Sequence, residues 1–151
     1  MSAAPLSSID IKQNKIIEMF PESLDWEQKY KKIIDLGKAL PELAEQHRQE
    51  KNIIKGCQSQ VWLAAELDKD KGVIRFQGDS DALIVKGLVA LLISVYDNEK
   101  PSDILNSQLF FVEKTGLKNH LTPSRTNGLT AMVQQIKNYS IAFHYLLNKG
   151  N

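Results

Sequence analysis

The segment Val61-Trp62-Leu63-Ala64-Ala65-Glu66-Leu67, followed by Asp68-Lys69-Asp70-Lys71-Gly72 and then by Val73 to Gln77, decides the class of fold. Val61, Leu63, Ala65 and Leu67 alternate with Gln60, Trp62, Ala64 and Glu66, the period of two of a half-buried strand. The polar run ending at Gly72 has turn chemistry, so Val73 to Gln77 reads as the returning strand of an antiparallel hairpin. Ile53 and Ile54, just upstream, offer a short third strand. Outward from this hairpin the apolar residues recur at helical spacing, and no strand–helix–strand repeat supports a parallel sheet. The expected class is therefore α+β: a small antiparallel sheet of about three strands, flanked by helices, in a single domain.

Downstream, Ala82 to Val95 is apolar apart from Lys86, Gly87 and Ser94. It falls short of the ~20 residues that span a bilayer and reads as a buried helix. Asp79 and Asp81 precede it as expected acidic caps, and Asp97 follows it. Pro101-Ser102-Asp103 opens another short helix, and Leu121-Thr122-Pro123 opens the last, with Leu129, Met132, Val133, Ile136 and Tyr139 on one stripe. Upstream, Ile9 to Met19 has a weaker helical pattern closed by Pro21. Asp25 with Gln28 forms a capping-box pattern before Trp26, Tyr30, Ile33, Ile34 and Leu40, and Pro41 ends that helix. Glu42 to Lys51 reads as helix or loop. Residues 1–8 are expected as a flexible leader without the pattern of a secretory signal, and 9–148 as the domain.

The 151 residues suit one core, and 42% hydrophobic with 25% charged residues is a globular composition. Nineteen basic and 18 acidic side chains leave a charge of +1, so no global field draws the chain to nucleic acid or to an anionic membrane. A single cysteine, Cys57, excludes an internal disulfide, a cysteine-rich zinc site and a CxxC pair, and points to a reducing cytoplasm.

Cys57 lies in Lys55-Gly56-Cys57-Gln58-Ser59-Gln60, between the short and the clear strand, and so in a turn. Gly56 opens backbone conformations closed to other residues, and Lys55 is positioned to favour thiolate. A reactive thiol and an inert, buried small hydrophobe both fit these residues. His47, His120 and His144 form no HxH or HExxH pattern, so no metal site is expected. A Cys–His hydrolase would require folding to bring one of them to Cys57. Gly78-Asp79-Ser80-Asp81 is read first as capping. Ser124-Arg125-Thr126-Asn127-Gly128 opens the last helix, where Arg125 fits either an anion or a structural role. Gly128 inside that helix implies close backbone packing or a partner surface. Trp26 and Trp62 are expected to supply core area, with a partner-contact anchor as the alternative for either.

Several stretches carry a resemblance: Asp25-Trp26-Glu27 with Tyr30, Leu36-Gly37 and Leu40-Pro41; Gly56-Cys57-Gln58-Ser59-Gln60-Val61-Trp62; Gly78-Asp79-Ser80-Asp81-Ala82; Val85-Lys86-Gly87-Leu88; and His120-Leu121-Thr122-Pro123-Ser124-Arg125 with Asn127-Gly128-Leu129. Together, and in this order, they resemble the SufE family of sulfur acceptors. The resemblance implies a fold shared with IscU-type scaffolds. It implies a non-enzymatic role, in which Cys57 takes persulfide sulfur from a cysteine desulfurase of the SufS type and passes it to an iron–sulfur scaffold of the SufBCD type. The chain itself would need no cofactor, because the desulfurase carries pyridoxal phosphate. Gly56, Gln58, Asp79, Asp81 and Arg125 are the residues expected to bind the partner or position the loop. The cysteine motif reads closer to SufE proper than to the sister CsdE-type acceptors, which share the chemistry. One cysteine does not supply the thiolates of a cluster scaffold.

Overall fold

The computed structural model describes residues 5–57 and 59–149. Chain order is α1 (Ser8–Met19), α2 (Trp26–Lys38), two single 3₁₀ turns (Glu45–His47 and Glu50–Asn52), β1 (Val61–Asp68), β2 (Val73–Ser80), α3 (Leu83–Tyr96), α4 (Pro101–Leu105), α5 (Phe111–Lys114), a further 3₁₀ turn (Leu117–His120) and α6 (Pro123–Asn148). This is the α+β arrangement expected, with a small antiparallel sheet among helices. Among the described residues, no helix is long and apolar enough to cross a membrane.

The hairpin forms where the alternation placed it. The Lys71 amide donates to Asp68 Oδ1 (3.1 Å), the Gly72 amide donates to the Asp68 carbonyl (2.8 Å), and Gly72 turns the chain at φ +68°. β2 runs three residues beyond the expected Gln77, so that Val61 pairs with Ser80 and Trp62 with Asp79. The expected third strand is reduced to one bridge, Ile53 with Trp62, which leaves a two-stranded sheet among the described residues. The reason is local. Immediately after the Ile54 amide bonds the Val61 carbonyl (2.8 Å), Gly56 takes φ +88° and turns the chain out of the ladder.

α3 is the centre of the core. Val61, Leu63, Ile74 and Phe76 are buried on the hairpin, while Val85, Leu88, Val89, Leu91, Leu92 and Val95 are buried on α3. Each such side chain contributes about 2 kcal/mol relative to exposure. α2 crosses α3 where two glycines meet: a Cβ on Gly37 would lie 2.8 Å from the Gly87 nitrogen, and one on Gly87 only 2.1 Å from the Ile33 carbonyl oxygen. The Asp25–Gln28 capping box starts α2 with reciprocal bonds of 2.8 and 2.9 Å. Ser7 caps α1, which begins at Ser8 and ties that residue's hydroxyl to Glu99 (2.8 Å), so helix reaches into the end of the expected leader.

The segment expected as helix or loop at Glu42 to Lys51 is loop carrying two 3₁₀ turns, and it forms a strap across the outer face of the hairpin. The Ala44 amide donates to Gln77 Oε1 (3.3 Å), His47 Nε2 meets Glu66 Oε1 (2.8 Å), and Arg48 reaches Asp79 Oδ2 (2.7 Å). This cover explains why Ala64, on the nominally outward side of β1, is buried. The two tryptophans are half-buried rather than central. His120 stacks on Trp26 with centroids 3.8 Å apart, and the Arg48 guanidinium lies 4.7 Å from the Trp62 ring centre.

Candidate functional site: the Cys57 loop and its cavity

Cys57 stands on a six-residue loop, 55–60, between two anchored ends. At the entry the Ile54 amide and Ile53 bridge hold the chain to β1. At the exit, the Gln60 amide donates to Asp81 Oδ1 (3.0 Å), the Asp81 amide donates back to the Gln60 carbonyl (3.2 Å), and the Ser80 hydroxyl donates to that same carbonyl (2.9 Å). Gly56, at φ +88°, makes the bend that a side chain would strain. Gln58 lies outside the described residues.

These bonds correct the reading of Asp79 and Asp81 as helix caps. The N-cap of α3 is Ala82, with no side-chain cap bond. Because β2 continues to Ser80, Asp79 is a strand residue opposite Trp62, and Asp81 turns back to the ladder end rather than forward to the helix. Asp79 Oδ2 receives Arg48, while its Oδ1 accepts the Ser80 amide (2.8 Å) and sits 3.4 Å from Lys86 Nζ. Burial pushes the Asp79 carboxyl upward, but the Arg48 guanidinium, the Ser80 amide and Lys86 outweigh it and hold the group below its usual range.

The Cys57 thiol is free and half-buried. It faces a cavity of about 260 Å³ whose walls include Val85 and Leu88 of α3 and Arg125, Gly128 and Met132 of α6. The sequence thus brings together a loop, a buried helix and the start of the last helix around one sulfur. Burial pushes the thiol pKa up, and among the described residues no charge offsets it. The expectation that Lys55 favours thiolate is corrected accordingly: the shift runs the other way, and its cause is dehydration. Thr122 caps α6 by accepting the Arg125 amide (3.3 Å), which fixes where Arg125 leaves the helix. Among the described residues, the Arg125 guanidinium has no carboxylate partner.

Among the described residues, no histidine lines this cavity. His47 pairs with Glu66, His120 stacks on Trp26, and His144 lies by Asn148 in the last turns of α6. Nor do any three described His, Cys, Asp or Glu side chains converge as metal ligands. The sequence reading missed Ser80, Arg48, Val85, Leu88 and Met132 as parts of the site or its support. Of these only Ser80, beside two aspartates at a strand end, carried a local signal.

Comparison with known proteins bears on the fold and on the family. The solution structure of a hypothetical protein from Thermus thermophilus shares the fold, with a TM-score of 0.72 and 22% identity over 87% of this chain and 95% of that one. The family model described as "SufE: Fe-S metabolism associated domain" matches residues 14–140, a span that holds the Cys57 loop, both aspartates and the start of α6. With most of its length matched, the chain belongs to the SufE family of sulfur acceptors in iron–sulfur metabolism.

Proposed function

We propose that Cys57 accepts the outer sulfur of a persulfide carried by a pyridoxal-phosphate-dependent cysteine desulfurase of the SufS type, and that the loaded chain delivers it to an iron–sulfur scaffold of the SufBCD type. The observation that carries this reading is the placement of the lone thiol: on a loop held at both ends, over a cavity, with no described histidine beside it to serve as a hydrolytic base. The Cys57 thiolate attacks the outer sulfur of the donor persulfide. A new S–S bond forms at Cys57 Sγ, the donor's own S–S bond breaks, and the electron pair leaves on the donor's inner sulfur as thiolate. The sulfane sulfur keeps its oxidation state, so no oxidant or reductant enters the step. Attack on the inner sulfur would give a mixed disulfide instead, so geometry must present the outer atom.

In this reading Gly56 lets the loop bend, Asp81 holds its exit, Asp79 fixes the strand end on which it closes, Gln58 is assigned to partner binding or loop positioning from its place in the motif, and Arg125, without a carboxylate partner among the described residues, offers a cation at the cavity for the desulfurase or for the anionic persulfide. The chain is a carrier rather than an enzyme, works in the reducing cytoplasm, and binds neither nucleic acid nor membrane. A CsdE-type acceptor for a different desulfurase uses the same chemistry and is separated by partner choice. The experiment mixes the chain with a cysteine desulfurase, cysteine and pyridoxal phosphate, and follows intact mass and sulfide release. The parent gains one sulfur atom and accelerates turnover, and Cys57→Ser does neither while keeping its fold. Stimulation by the serine variant without added reductant would refute transfer through Cys57.

A further inference from the structure

α6 carries a glycine in its second turn, and glycine inside a helix weakens it. Gly128 has no positive φ that would demand the residue. It also differs from Gly37 and Gly87, whose missing side chains make room for backbone. A Cβ at Gly128 would lie 3.2 Å from Cys57 Sγ and 3.9 Å from Cys57 Cβ, and among the described residues these are the only atoms outside its own helix and chain neighbours within 4 Å. The space left at position 128 therefore belongs to the thiol. Arg125 and Met132 flank it on the same face of α6, three residues before and four after, and both line the cavity.

We propose that Gly128 is a positioning residue for sulfur transfer: the bare backbone of α6 at this point is the seat on which the Cys57 sulfur rests inside the cavity. The proposal rests on the sulfur-acceptor reading of Cys57 and adds to it what decides between the sheltered and the presented thiol. A side chain at 128 fills the seat and drives the sulfur outward. With Sγ against α6, the second sulfur of the loaded form has the cavity of about 260 Å³ beside it.

The test measures iodoacetamide alkylation of Cys57 in the full chain alone, together with thermal midpoints. Gly128→Val is expected to alkylate about tenfold faster than the parent, since the rate follows the population of the unseated thiol. Gly128→Ala is expected to speed alkylation by a smaller factor while its midpoint holds or rises, because alanine favours the helix. A Gly128→Val rate equal to the parent's overturns the proposal. Any drop in midpoint caused by valine is expected to be largely recovered in Gly128→Val/Cys57→Ala, which removes the sulfur that valine strikes; additive losses overturn the proposal even if the single variant folds poorly. Sulfur uptake separates this inference from its foundation. A parent that gains no sulfur from a desulfurase, with alkylation responding as expected, refutes the acceptor reading and leaves the seat in place. A parent that loads normally, with alkylation insensitive to residue 128, removes the seat alone.

Discussion

Burial pushes the Cys57 thiol pKa up, which favours the protonated form, and a protonated thiol is a poor nucleophile. The linkage has a definite sign: a thiol whose pKa is raised in the folded form favours that form while protonated, and the preference is lost as pH climbs from the ordinary cysteine value through the raised one. Alkylation of the isolated chain is expected to titrate with a midpoint above that of an unfolded cysteine, and a midpoint at or below it would contradict the dehydrated seat. Asp81 acts at the same scale. Its carboxylate accepts the Gln60 amide, and it caps no helix. Asp81→Arg removes that acceptor and is expected to raise both the Cys57 alkylation rate and hydrogen exchange of the Gln60 amide, with α3 unchanged. Faster exchange confined to α3 with an unchanged thiol would show that the residue serves the helix instead.

The elements meet at places where side chains are absent. α2 and α3 approach through Gly37 and Gly87, and the position of α3 in turn sets Val85 and Leu88 as walls of the cavity. Gly87→Ala would thrust a methyl into the Ile33 carbonyl, which belongs to rigid helix backbone. Overpacking of this kind is expected to cost about 3 kcal/mol, read as a lower denaturation midpoint in urea. A neutral result would mean that the helices slide apart without loss. The same substitution at Gly128 meets, among the described residues, the Cys57 side chain on a loop rather than helix backbone, so the two glycines are expected to respond oppositely in stability.

Across the whole molecule, the strap from Ala44 to Asn52 joins the hairpin to α6 and so frames the site. Asn52 donates to the His47 carbonyl (2.7 Å), and the Tyr139 hydroxyl of α6 lies 3.3 Å from both Asn52 Oδ1 and the Leu63 carbonyl. Arg48 also fastens it, lying over Trp62 and bonded to Asp79, the two residues paired across the strands. Because the Asp79 carboxyl is held low in the fold, its contribution is present above the unfolded carboxylate range and is lost as pH falls through the lowered value. Urea unfolding across the acid range is expected to show a shallower loss of stability for Asp79→Asn than for the parent, from a lower starting point at neutral pH. Identical acid slopes would mean that the Arg48 contact adds nothing.

Reading outward from Val61 to Gln77, the sequence alone determined the hairpin, the helix starts at Asp25, Pro101 and Thr122, and the placement of Cys57 in a turn. These are encoded within a few residues, by alternation, by caps and by the backbone limits of proline and glycine. Tertiary structure decided the rest. The longer pairing of β2 turned Asp79 and Asp81 from caps into a strap anchor and a loop clasp, and the bend at Gly56 stopped the third strand at a single bridge. The cavity and the Gly128 seat exist only where the 55–60 loop, α3 and α6 converge. Their shape depends on which faces meet across long stretches of chain, whereas periodicity reports only that a face exists.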